Sequence, residues 1–144
     1  MEKGLYYLAG PHKGTLEEET NRFNVSRNIT IAFIKQGIPV FSPIVYSKQF
    51  VEDLNISSLE DRRKIVMDYL LSFLKASKGM ILVAMEGWKT SWGVNLELKF
   101  CQEHHIPVYL MSPDQGLENL SSVFLRPLQE AEIDQLLAEY EVCK

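Results

Sequence analysis

The sequence predicts an α/β domain of the flavodoxin-like kind, a three-layer α/β/α sandwich around a four- or five-stranded, mainly parallel sheet. Three observations lead there. Short, almost continuously apolar runs recur along the chain, as in strands buried on both faces. Longer amphipathic stretches alternate with them, which implies right-handed crossovers and parallel strands. The chain has 144 residues, 46% hydrophobic and 24% charged, which suits one soluble globular domain spanning 1–144.

The elements follow in order. Leu5-Tyr6-Tyr7-Leu8-Ala9 reads as the first strand, closed by Gly10-Pro11. Glu17, Glu18 and Glu19 mark a helix start, where negative charge is favourable. That helix runs to about Gln36, with Phe23, Ile31 and Ile34 among its apolar positions and Gly37 as its stop. Ile38-Pro39-Val40-Phe41 is the second strand, ended by Ser42-Pro43. The stretch from Val45 to Ser58 is mixed in polarity and reads as a long loop or lid with one helical turn. Ser58 is placed to cap a helix from Leu59 to Ala76, with Val66, Tyr69, Leu70, Phe73 and Leu74 on its apolar face. Gly79 to Ala84 is the third strand and Gly93 to His104 the third long helix. Ile106 to Leu110 is the fourth strand, Met111 to Asn119 a loop, Val123-Phe124-Leu125 a short edge strand, and Gln129 to Tyr140 a closing helix.

Charge and composition narrow the functional classes. A net charge of -4 supplies no general basic footprint for a nucleic acid polymer, though a nucleotide-sized ligand is compatible with it. No apolar run is long enough to span a membrane, and the first residues carry no signal-peptide pattern, so a cytoplasmic protein is expected. Cys101 and Cys143 are far apart, and His12, His104 and His105 have no metal-ligand spacing, so no metal and no cofactor is expected. His105 reads as a packing residue at a strand entry, and Arg22 and Arg27 as solvated cations.

The stretch from Met85 to Glu97 carries the most chemistry. In open α/β sheets, ligands bind beyond the carboxyl ends of the strands. Ser91 suits an N-cap, and the N–H groups of Trp92, Gly93 and Val94 then form an anion site. Val94, Leu98, Cys101 and His105 form the stripe facing the sheet, with Glu97 at its margin. Glu97 is therefore either a surface residue near a helix start or a carboxylate aimed along the sheet's upper edge. The helix N-terminus should favour its ionised form. Trp88 and Trp92 either pack locally or stack on a planar ligand. Gly10-Pro11 is either a simple turn or a backbone surface for a ligand, and Asp68 either faces outward or supplies a second carboxylate.

Taken together, Tyr7-Leu8-Ala9-Gly10-Pro11, Val40-Phe41-Ser42-Pro43-Ile44, Gly87-Trp88 and Ser91-Trp92-Gly93-Val94-Asn95-Leu96-Glu97 resemble the nucleoside 2-deoxyribosyltransferase-like superfamily. The chain looks closest to a small branch with a Gly-Trp-x-x-Ser-x-Gly-x-x-x-Glu signature, and the similarity covers Leu5 to Leu110. The resemblance implies cleavage or transfer at the N-glycosidic bond of a nucleoside or nucleoside 5′-monophosphate. It implies Glu97 as nucleophile, Tyr7 as its positioning partner and Asp68 as an assisting carboxylate. Ser91 would hold phosphate, with Gly10, Pro11, Ser42, Trp88, Trp92 and Gly93 around the substrate. It also implies a homodimer or larger homo-oligomer. The chain departs from that pattern where Ser77-Lys78 replaces an aspartate before the third strand and Tyr46 replaces a histidine after Ser-Pro-Ile. Asp68 aligns only with a small gap. A nucleotide-binding module without catalysis, or a plain interaction domain, are the alternatives.

Overall fold

Parallel strands need crossovers, and the computed structural model has them at every parallel step. It describes residues 3–114 and 125–144. Five strands lie in the order β2-β1-β3-β4-β5: β1 (Tyr6–Ala9), β2 (Val40–Phe41), β3 (Gly79–Val83), β4 (Val108–Met111) and β5 (Arg126–Pro127). The first four are parallel, and β5 runs antiparallel against β4. The flanking helices are α1 (Leu16–Lys35), the short α2 (Pro43–Ser47), α3 (Leu59–Lys75), α4 (Trp92–Glu103) and α5 (Glu130–Cys143). This is the expected flavodoxin-like class, a mainly parallel five-stranded sheet flanked by helices. Among the described residues, no helix is long and apolar enough to cross a membrane.

The two faces of the sheet follow from strand alternation. Tyr6 and Leu8 of β1 point to one side, where they pack with Ile81, Val83, and Ile29 and Phe33 of α1. Tyr7 and Ala9 point to the other, against Met80, Leu82, Leu74 of α3, Val94, Leu98 and Cys101 of α4, and Ile133 of α5. All five residues of β3 are buried, as befits the central strand. The chain reverses direction of winding between β1 and β3. That is the switch point at which such sheets open a crevice.

Local signals set most helix boundaries. Thr15 caps α1 through a reciprocal capping box with Glu18. Ser58 caps α3 by accepting from the Asp61 N–H, and Ser91 caps α4 by accepting from the Val94 N–H. Ser42 does the same for α2, the short helix that opens the segment after β2 and supplies its expected helical turn.

Other expectations are corrected. Helix α1 does not bury Ile34, which is exposed; it buries Arg22, Ser26, Ile29, Ala32 and Phe33. The inward stripe opens with two polar residues, so counting apolar positions sets the helix phase wrongly. His105 is not a packing residue. Helix α4 ends at Glu103, and His105 turns outward in the left-handed region at φ 55°. On α3, Tyr69 is half exposed. The edge strand falls at Arg126–Pro127; Val123 and Phe124, and the loop beyond Asp114, lie outside the described residues.

Candidate active site

Beyond the carboxyl ends of β1 and β3 lies a cavity of about 660 Å³, within the usual range for small-molecule sites. The β1 end contributes Gly10, Pro11, His12 and Lys13; the loop after β3 contributes Gly87, Thr90 and Ser91; α4 contributes Trp92, Gly93 and Glu97. Helix α1 adds Glu18 and Arg22, and α3 adds Arg62, Arg63 and Met67.

Glu97 sits in this cavity with only 4% of its surface exposed. It stands one turn before Cys101 on the face of α4 that packs on the sheet, and Tyr7 reaches it from β1. The Tyr7 hydroxyl donates a 2.5 Å hydrogen bond to Glu97 Oε2. Two opposed effects act on the carboxyl group. Burial disfavours its charged form, whereas the Tyr7 hydrogen bond favours it. Burial wins, and the Glu97 pKa is pushed up to about 7. The expected preference for the ionised form, drawn from the helix N-terminus, is thus reversed: Glu97 lies in the second turn, where the dipole has faded and desolvation dominates. Tyr7 is raised well above the usual phenol range, first by its own burial and then by Glu97, so its hydroxyl keeps its proton and stays a donor. The neighbouring Cys101 thiol is likewise pushed up by burial and remains neutral.

The loop between β3 and α4 is held rigidly. Asn95, buried, donates from Nδ2 to the carbonyls of Lys89 (3.0 Å) and Ser91 (2.8 Å), tying the 3₁₀ turn Trp88–Thr90 to the start of α4. Gly87 enters that turn at φ 89°, and a Cβ there would come within 2.9 Å of Arg22 Nη2. A side chain at this position would be strained and would also displace the arginine.

Arg22 explains that close approach. It is 8% exposed, donates from Nη1 to the Lys13 carbonyl (2.7 Å) and from Nη2 to the Glu86 carbonyl (2.8 Å), and lies 3.6 Å from Glu18. One guanidinium therefore clamps the loop after β1 to the loop after β3. The expectation of a solvated Arg22 is corrected; Arg27 is exposed as expected. Arg62 and Arg63 also escape a sequence reading of the site. A faint signal was available, since two cations just inside a helix start run against the macrodipole. Arg63 lies 5.1 Å over the Trp92 ring.

Of the sequence-derived site residues, the cavity brings together Gly10, Pro11, Ser91, Trp92, Gly93 and Glu97, with Tyr7 behind Glu97. Three are not brought in. Asp68 is exposed on α3 and does not line the cavity, because the inward face there is Met67 and Leu70. Ser42 is buried as the α2 cap. Trp88 packs against the core cluster between the sheet, α4 and α5, and lines a separate small hollow. The two departures from the family pattern also stand apart. Tyr46 stacks with Tyr69 and shares a 3.0 Å hydroxyl contact with it, and Lys78 lies exposed at the opposite, amino end of β3. Among the described residues, no three His, Cys, Asp or Glu side chains gather to hold a metal ion.

Comparison with known proteins agrees with this architecture. A solved 2-deoxyribosyltransferase from the psychrotolerant bacterium Bacillus psychrosaccharolyticus is similar in fold, with a TM-score of 0.59 over 87% of this chain and 99% of that one, at 19% identity. No curated protein matches in sequence. The family model described as a domain of unknown function, DUF1937, matches residues 5–113, the span that holds β1 to β4 and every residue of the cavity except Tyr140, and the chain belongs to that family.

Proposed function

We propose that this protein cleaves, or transfers at, the N-glycosidic bond of a nucleoside or nucleoside 5′-monophosphate, with Glu97 as the nucleophile. The observation that carries the reading is the Glu97–Tyr7 pair: a buried carboxylate at a cavity, held by one donor and poised near neutrality. Such a carboxylate stabilises positive charge far better than one in water, because little solvent screens it. Breaking a glycosidic bond develops that charge at the anomeric carbon, and the same carboxylate then bonds to it. Tyr7 fixes which oxygen is free to attack.

The lining also suits an anionic group on the sugar. Four cations, Lys13, Arg22, Arg62 and Arg63, face two carboxylates, Glu18 and Glu97, in a chain whose net charge is -4. The Trp92 and Gly93 N–H groups open the first turn of α4, and the Ser91 hydroxyl, although it accepts from Val94, keeps a proton to donate. This favours the 5′-monophosphate over the free nucleoside. Trp92 offers its ring to the base or closes the site.

Incubation with a panel of ribo- and deoxyribonucleosides and their 5′-monophosphates, read as free base by chromatography, tests the proposal. Base release by the wild type and its loss in Glu97→Gln support it. Stabilisation by monophosphates without base release leaves a nucleotide-binding module instead.

A further inference from the structure

Glycosidic cleavage needs more than a nucleophile. The departing base carries away the electron pair of the C1′–N bond and must be protonated, and the acceptor must lose a proton. The carboxylate that the family resemblance offers for this work, Asp68, is exposed outside the cavity. The post is therefore vacant, and the cavity lining holds few candidates. Among the described residues, its ionisable side chains are His12, Lys13, Glu18, Arg22, Arg62, Arg63, Glu97 and Tyr140. Glu97 has its role. Glu18 is half exposed, occupied by the Thr15 capping box and by Arg22, and held below the usual carboxylate range by the Thr15 backbone. Guanidinium, ammonium and phenol groups as classes hold their protons far above neutral pH. Among the described lining residues, only the imidazole of His12 belongs to a class that exchanges protons in the working range.

Its placement fits the task. His12 follows Gly10-Pro11 at the carboxyl end of β1, the strand that carries Tyr7 to Glu97, and it is partly buried in the same cavity wall. Its backbone carbonyl points to Arg22 Nη1 (3.4 Å), so the clamp that joins the two loops also fixes this residue.

Resting on the function proposed above, we infer that His12 is the proton shuttle of the reaction, giving a proton to the departing base and taking one from the acceptor. In the first step a Glu97 oxygen bonds to C1′, the C1′–N bond breaks, its electron pair stays on the base nitrogen, and that nitrogen takes the proton of the His12 imidazolium. In the second, the oxygen of water bonds to C1′, the C1′–O bond to Glu97 breaks with its pair returning to the carboxylate, and the neutral imidazole takes the water proton. A second base with an N–H can replace water. Nothing is oxidised or reduced, and both side chains return to their starting forms.

The surroundings of His12 agree with a group that gives its proton up readily. Burial lowers it from the ordinary imidazole range; Glu19 of α1 pulls it back up, and Lys13, Lys48 beyond α2, and Arg22 push it further down. The first step requires Glu97 charged and His12 protonated, so the rate should rise and fall with pH as a narrow bell whose two arms belong to the pair.

The test uses the full chain and whichever panel member the wild type cleaves. His12→Gln, with His12→Asn as a second variant, is expected to lose about 100-fold in turnover. It should also lose the basic arm of the bell, accumulate glycosyl-enzyme visible by intact mass, and recover activity with added imidazole. A variant that keeps wild-type rate and both arms overturns the role of His12 while leaving Glu97 standing. Should neither variant fold, a wild-type profile without a basic arm overturns it equally. Absence of base release from every panel member removes the proposed function, and the shuttle with it.

Discussion

The floor of the cavity and its α3 wall are built on opposite plans. On the floor, polar groups are buried and each has a named partner: Tyr7 on Glu97, Arg22 on the Lys13 and Glu86 carbonyls, Asn95 on Lys89 and Ser91. On the wall, Arg62 and Arg63 are only partly buried, and the contact that holds Arg63 is a ring face of Trp92. Next to them Ile65 and Tyr69 are exposed. Buried, partnered groups have fixed geometry and shifted protonation, which chemistry requires. Half-solvated cations adjust to a ligand and attract it through charge. Under the proposed function, the floor would carry the reaction and the wall the capture.

Substitutions separate the two. The largest effect should come from Glu97→Gln, which keeps the shape and the Tyr7 hydrogen bond but removes the proposed nucleophile. Turnover of the cleaved panel member should fall by about 10⁴-fold or more. A variant within tenfold of wild type would move the chemistry off the floor.

The same substitution should change stability in a pH-dependent way. The Glu97 pKa in the folded chain is about 7 against an ordinary 4.5, so folding favours its neutral form. Relative to the Gln variant, the wild type should lose nothing below about pH 4.5, lose stability as pH rises through 7, and level off about 3 kcal/mol lower. Denaturant unfolding of both proteins at pH 5 and pH 8 measures this, and parallel behaviour would deny that burial controls Glu97.

Arg22→Ala should cost about 2 kcal/mol of stability by leaving the Lys13 and Glu86 carbonyls without their donor. It should reduce turnover with it. Arg62→Ala and Arg63→Ala should instead leave thermal stability within about 0.5 kcal/mol and raise KM for a monophosphate about tenfold. That effect should shrink at high salt. Equal effects on KM for the free nucleoside would blur the distinction between wall and floor. Smallest of all, Tyr46→Phe removes an exposed hydroxyl contact and should change neither stability nor KM measurably.

How legible these regions are in the sequence differs for the same reason. Buried strands announce themselves through continuous apolar runs, and Ser58 and Ser91 announce their helices as caps. Glu97 is legible too, because helix phasing from Val94 and Cys101 places it near the sheet. The rest depends on long-range geometry. Arg22 and Ser26 break the apolar pattern of α1, so counting apolar positions misphases its inward stripe, and the arginine at its head reads as solvated. The carbonyls that hold Arg22 belong to residues 9 and 64 positions away. The pattern of α3 leaves Asp68 either outward-facing or a second carboxylate, the family resemblance favours the second, and only the packing of Met67 and Leu70 puts it outside.

The most direct test of the central claim is to look for a covalent bond on Glu97. The wild type is mixed with a 2′-fluoro analogue of the cleaved panel member, which slows hydrolysis of a glycosyl-enzyme, and the protein is digested and mapped by mass spectrometry. The account predicts one sugar adduct, on the peptide bearing Glu97, absent from Glu97→Gln. Base release that proceeds without any adduct, and equally well in Glu97→Gln, would contradict it.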